Sequence, residues 1–120
     1  MPGVNMPDTN ETVYITIGNN GDELTQRAWS AFCEDVNKLV HEFCDYVVGV
    51  WFSAASAPNQ NACWAFVRVA SVDGKREARE DLLKRSLSIL AGKYKQDEII
   101  WSVSQTDYIS AQSYPESKEE

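Results

Sequence analysis

The 120-residue sequence predicts an α+β domain in which strands and helices follow the order β-α-β-β-α-β. Three observations carry that prediction. Apolar residues recur at spacings of three and four across two long stretches, 25–45 and 75–95; β-branched and aromatic residues crowd four shorter runs; and Gly, Asn, Asp and Ser cluster between them.

Residues 1–11 (MPGVNMPDTNE) lack periodicity and predict a flexible tail, which leaves a single domain over 12–110 and an acidic tail over 111–120. Val13, Ile15 and Ile17 alternate with Tyr14 and Thr16, the pattern of a strand with two unlike faces. The Gly18-Asn19-Asn20-Gly21-Asp22 cluster then turns the chain. Thr25 offers a hydroxyl to cap the next helix, and Leu24 with Trp29 takes the positions of a hydrophobic staple. Trp29, Phe32, Cys33, Val36, Leu39, Val40 and Phe43 form one apolar stripe opposite Glu34, Lys38 and Glu42, which predicts a helix to about Asp45.

Residues 46–54 and 62–70 read as a hairpin with a long loop. Pairing Trp51 opposite Trp64 would set Gly49 opposite Phe66, so that a ring covers the bare glycine backbone. Asp73-Gly74 is a turn, and a helix over 75–95 follows with Leu83, Leu87, Leu90 and Tyr94 on its inner stripe. Residues 99–105 form the last strand.

This is the order of the ferredoxin-like sandwich, a four-stranded antiparallel sheet with two helices on one face and the other face open. With Ile15, Val50, Phe52, Val67, Trp101 and Val103 turned to the helices, the open face is expected to receive Tyr14, Thr16, Trp51, Ser53, Trp64, Phe66, Arg68, Ser102 and Ser104. The run 62–70 dominates that expectation. It would hide Cys63, Ala65, Val67 and Val69 and present Trp64, Phe66 and Arg68 to a partner.

Composition narrows the partner. The net charge of −7 argues against nucleic acid and anionic membranes. Residues 75–95 nonetheless hold a local +4, expected as a solvated helix face laced by Glu80 with Lys84 and Asp81 with Arg85. Cys33, Cys44 and Cys63 are odd in number and lack CxxC spacing, which argues against a disulfide framework or a metal site and for a cytosolic compartment. No apolar run approaches the roughly 20 residues that cross a bilayer. His41, the single histidine, falls on the polar flank of the first helix, so no catalytic set and no cofactor are expected.

The expected role is therefore a non-enzymatic interaction module. Tyr14, Thr16, Trp51, Trp64, Phe66 and Arg68 form its ligand or interface surface, and a polar rim comprises Asn19, Asn20, Gln26, Gln60, Asn61 and Gln96, whose amides offer both donors and acceptors. The expected partner is a second copy of the chain, forming a homodimer, or a protein or small polar or aromatic ligand.

Two resemblances extend this reading. The segments 13–19 (VYITIGN) and 63–69 (CWAFVRV) resemble the two signature strands of the RNA-recognition-motif family, which implies bases stacked on Tyr14, Trp64 and Phe66 as an alternative function. The runs YITIGNNGDELTQRAWSAF, VWFSAASAPNQNACWAF and YKQDEIIW resemble small ferredoxin-like proteins encoded by actinobacteria and their phages, which implies a compact accessory or host-interaction protein acting in the host cytoplasm. A small dimeric α+β barrel enzyme is a further alternative.

Overall fold

A computed structural model of the chain describes residues 7–19, 23–54, 59–105 and 109–111, with the backbone alone described at 7–10. The elements are β1 (Pro7–Gly18), α1 (Gln26–Phe43), β2 (Val47–Phe52), β3 (Asn61–Val69), α2 (Lys75–Lys93) and β4 (Ile100–Gln105). The strands pair antiparallel in the order β2-β3-β1-β4, so the fold is the α+β ferredoxin-like sandwich that the sequence predicts. β1 starts at Pro7, within the stretch expected as a tail, after a register shift between Pro7 and Thr12. The rest of that tail (1–6), the turn residues Asn20 to Asp22 and residues 112–120 lie outside the described residues.

Local chemistry accounts for the helix ends. The Thr25 hydroxyl accepts from the Ala28 amide (3.1 Å), satisfying one of the free donors of the first turn of α1. α2 begins after Asp73 and Gly74, both at positive φ (54° and 71°), the second of which only glycine adopts without cost. It ends in a Schellman motif. Gln96 N–H bonds the Ala91 carbonyl (2.8 Å) and Lys95 N–H the Gly92 carbonyl (3.1 Å), with Lys95 itself left-handed (φ 57°).

The core lies between the helices and one face of the sheet. Val13, Ile15 and Ile17 of β1 and Ala62, Trp64 and Phe66 of β3 meet Trp29, Phe32, Val36 and Val40 of α1 and Leu83 and Leu87 of α2. Trp64 is 0% exposed and Phe66 4%. The sidedness expected for β3 is thus inverted: its two large rings face the helices, and Cys63, Ala65 and Val67 face outward. Register explains why. Ile15 pairs with Trp64 and Val13 with Phe66, and directly opposed residues in an antiparallel sheet share a face, so the rings must join the β1 residues that the helices cover. The hairpin register differs from the expected one by a single residue. Val50, not Trp51, opposes Trp64; Trp51 opposes Cys63; and Gly49 opposes Ala65, with Val48 as the extra residue of a bulge.

Candidate functional site

The register builds the open face row by row. Trp51, Cys63, Thr16 and Ile100 lie side by side across the four strands; Gly49, Ala65, Tyr14 and Ser102 form the next row; Val67, Thr12 and Ser104 form a third. Trp51 (57% exposed), Ile100 (49%) and Tyr14 (38%) stand proud of a floor made by the small residues of β3. Within the floor, the Thr16 hydroxyl donates to Cys63 Sγ (3.5 Å). None of these row residues carries a formal charge. Along the strands, charge sits on the opposite side or at the ends, which separates this surface from the rest of an acidic chain.

Three of the six residues expected at the surface stand on it: Tyr14, Thr16 and Trp51. Trp64, Phe66 and Arg68 do not. Trp64 Nε1–H donates to Asn37 Oδ1 of α1 (3.0 Å), and Phe66 meets Trp101 edge-on at 5.9 Å. Arg68 is turned to the helix side, where its guanidinium takes both carboxylate oxygens of Glu80 (2.7 and 2.9 Å) and reaches Glu11 (3.0 Å). This bidentate clamp fastens β1, β3 and α2 at one end of the core, and the Glu80 bonds, ahead of the cost of burial, raise the Arg68 pKa. The stacking surface implied by the RNA-recognition resemblance accordingly keeps Tyr14 but loses both β3 rings.

The expected polar rim lies at the opposite end, where its side chains are engaged within the fold and one pair, Gln26 with Gln60, bonds directly. Asn19, 1% exposed, accepts from Leu24 N–H (2.9 Å) and donates to the Leu24 carbonyl (3.0 Å), pinning the entry to α1 as a short strand pair would. Gln26 and Gln60 exchange a reciprocal pair, each Nε2 donating to the other's Oε1 (2.8 and 3.2 Å). The Asn61 backbone N–H donates to Ser53 Oγ (2.9 Å) and its side-chain Nδ2 to the Asn59 carbonyl (3.2 Å), and Gln96 closes the end of α2 by donating Nε2 to the Tyr94 carbonyl (3.1 Å). Asn20 lies outside the described residues.

The cationic stretch of α2 is largely neutralised within the fold. Arg85 pairs with Asp81 (3.0 Å) as expected, but Glu80 serves Arg68, and Lys84 instead rests over the Trp101 ring (4.6 Å). Arg79 reaches Asp45 (3.4 Å) and Lys93 reaches Asp35 (3.5 Å). Burial pushes the Cys33 and Cys44 thiols up to about 11 and about 12, so neither is a ready nucleophile. Among the described residues no helix is long and apolar enough to cross a membrane, and no group of three metal-ligating side chains gathers.

Sequence reasoning missed Ile100 as a member of the open face and Asn37 as the partner of the buried indole. Ile100 was recoverable from its alternation with Trp101; Asn37, on the flank of the α1 stripe, gave no sequence signal.

No protein-family model and no curated protein matches the chain in sequence. Among solved structures, it is similar to the C-terminal domain of the MgtC protein from Mycobacterium tuberculosis, with TM-score 0.47, 10% identity, and coverage of 87% of this chain and 96% of that one. It is likewise similar to a NIPSNAP family protein of unknown function from Agrobacterium tumefaciens, with TM-score 0.49, 15% identity, and coverage of 89% and 97%. A phage SAM lyase in complex with S-methyl-5'-thioadenosine gives TM-score 0.47 and 17% identity, with coverage of 92% and 96%. Similarity at this level bears on no activity.

Proposed function

We propose that the chain is an interaction module whose open sheet face is the contact with a second copy of itself. One observation carries the reading: in a chain of net charge −7, the rows around Tyr14, Trp51 and Ile100 form an uncharged surface with exposed rings and an Ile side chain that, among the described residues, no helix covers. An isolated exposed ring needs no explanation, whereas Trp51, Tyr14 and Ile100 share one uncharged face with the small residues of β3, the kind of surface that proteins bury against partners. A second copy suits the patch because two such faces can meet about a two-fold axis without setting like charges together. Small-molecule capture has weaker support, since grooves of about 300 and 410 Å³ run beneath the sheet edges, between strands and helices, and not across this face.

Sedimentation velocity tests the proposal. Tyr14→Glu on the central strand β1 and, independently, Ser102→Glu beside it on the edge strand β4 place carboxylates on the face at exposed positions, so the fold should persist by circular dichroism while the mass of the assembly halves. A wild-type chain that sediments as a monomer at about 100 µM, or variants that assemble unchanged, would refute self-association through this face.

A further inference from the structure

The outer strand β2 carries a second surface that the open face does not account for. Its sequence, VVGVWF, has no charged residue and no proline, and Val48, Val50, Trp51 and Phe52 are all exposed. Exposed edge strands ordinarily carry lysine, proline or another device that prevents pairing with a further strand. Here the bulge at Val48 blunts one end only.

The hydrogen-bond pattern shows which groups are on offer. Ser53 N–H donates to the Asn61 carbonyl (2.9 Å), so backbone groups at Ser53, Trp51 and Gly49 point to β3. Those of Val50 and Phe52 then point away from β3, and β2 ends the strand order, so among the described residues no strand stands on that side. Beneath this edge runs the 410 Å³ groove, where Val50 and Phe52 face Trp29 and Cys33 of α1.

We infer that this edge pairs with the same edge of another copy, antiparallel about a two-fold axis through Val50. The arrangement is self-complementary. With Val50 opposite its counterpart, each Gly49 falls opposite the partner's Trp51 in a close, non-hydrogen-bonded pair on the open-face side. Nothing lies within 4 Å of the position a Gly49 Cβ would take, and its neighbour across β3 is the small Ala65, so the trough receives an indole from across the edge. Because β2 is uncharged, this approach of two acidic chains sets no like charges in register. A two-fold pairing also closes on itself, whereas pairing β2 with β4 would propagate without end. The result is a continuous eight-stranded sheet with all helices on one side. The edge contact stands independently of the face contact; only the final size of the assembly rests on both, and together they give a closed tetramer.

Val50→Pro isolates the edge, because it removes an amide proton that serves no bond to β3 and proline is tolerated on edge strands at such positions. In sedimentation velocity the wild type should run as a tetramer, Val50→Pro and Tyr14→Glu each as a dimer, and the double variant as a monomer. Failure of the face contact alone leaves a wild-type dimer that Val50→Pro makes monomeric. Failure of the edge contact leaves the Val50→Pro mass equal to the wild type, which overturns the inference. Should Val50→Pro fold poorly, Val50→Cys decides the matter: under mild oxidation it should give a symmetric interchain disulfide, since opposed residues across such a pair fall within disulfide reach. Its absence while the assembly persists would equally overturn the pairing.

Discussion

Trp64 is fixed in three ways at once: its ring is wholly buried, it meets Phe52 of β2 in an edge-to-face contact at 5.9 Å, and its N–H reaches Asn37 of α1 at 3.0 Å. Removing it therefore acts on stability and not on a surface. Trp64→Ala should cost about 3–5 kcal/mol in urea denaturation through lost transfer energy and an unfilled cavity, while Trp64→Phe, which keeps most of the bulk but orphans the Asn37 oxygen, should cost about 1–3 kcal/mol. A Trp64→Ala chain as stable as the wild type would place the ring outside the core. That this residue was expected on the open face has a physical cause. β1 and β4 declare their sides through Thr and Ser at alternate positions, but in β3 both alternating sets, Cys63-Ala65-Val67 and Trp64-Phe66, are apolar, so polarity gives no side. Size does: a two-layer core between a sheet and two helices needs the larger set to fill it, and the smaller set is left outside.

The elements themselves were legible, because each depends on local signals: the Thr25 cap, the α1 stripe and the Asp73-Gly74 turn all sit where their chemistry requires. What binds one element to another was less so, since long-range polar pairs leave no periodicity. The junction of the two helices is an example. Tyr94, just past α2, stacks on Phe32 of α1 (4.8 Å, 26° between planes) and donates its hydroxyl to Asp35 (2.6 Å). The bond to Asp35, with burial and the Asp35 charge behind it, pushes the Tyr94 pKa up to about 12. In the unfolded chain the group titrates near 10, so the folded state holds this proton more tightly. The contribution is thus complete below about pH 10 and is lost as pH rises toward 12. Unfolding free energies across that window should fall more steeply for the wild type than for Tyr94→Phe, and parallel curves would show that the bond does not couple to folding.

At the scale of the whole molecule, the distribution of charge sets how the proposed assembly should respond to salt. The chain carries −7, yet the rows of the open face and the length of β2 carry no charge, so in the proposed assembly two copies repel at long range and attract only at contact. Salt shortens the repulsion, with a Debye length of about 30 Å at 0.01 M and about 8 Å at 0.15 M, and leaves burial of Trp51, Tyr14 and Ile100 untouched. Self-association should accordingly tighten several-fold between those two concentrations and then level off. An interface made of ion pairs, such as one between the cations of α2 and the carboxylates of a second copy, would show the reverse, weakening steadily as salt rises. Sedimentation equilibrium on Val50→Pro, in which the face contact stands alone, measures the sign directly: affinity that drops with added salt would mean that charged side chains, and not this uncharged surface, bring the copies together.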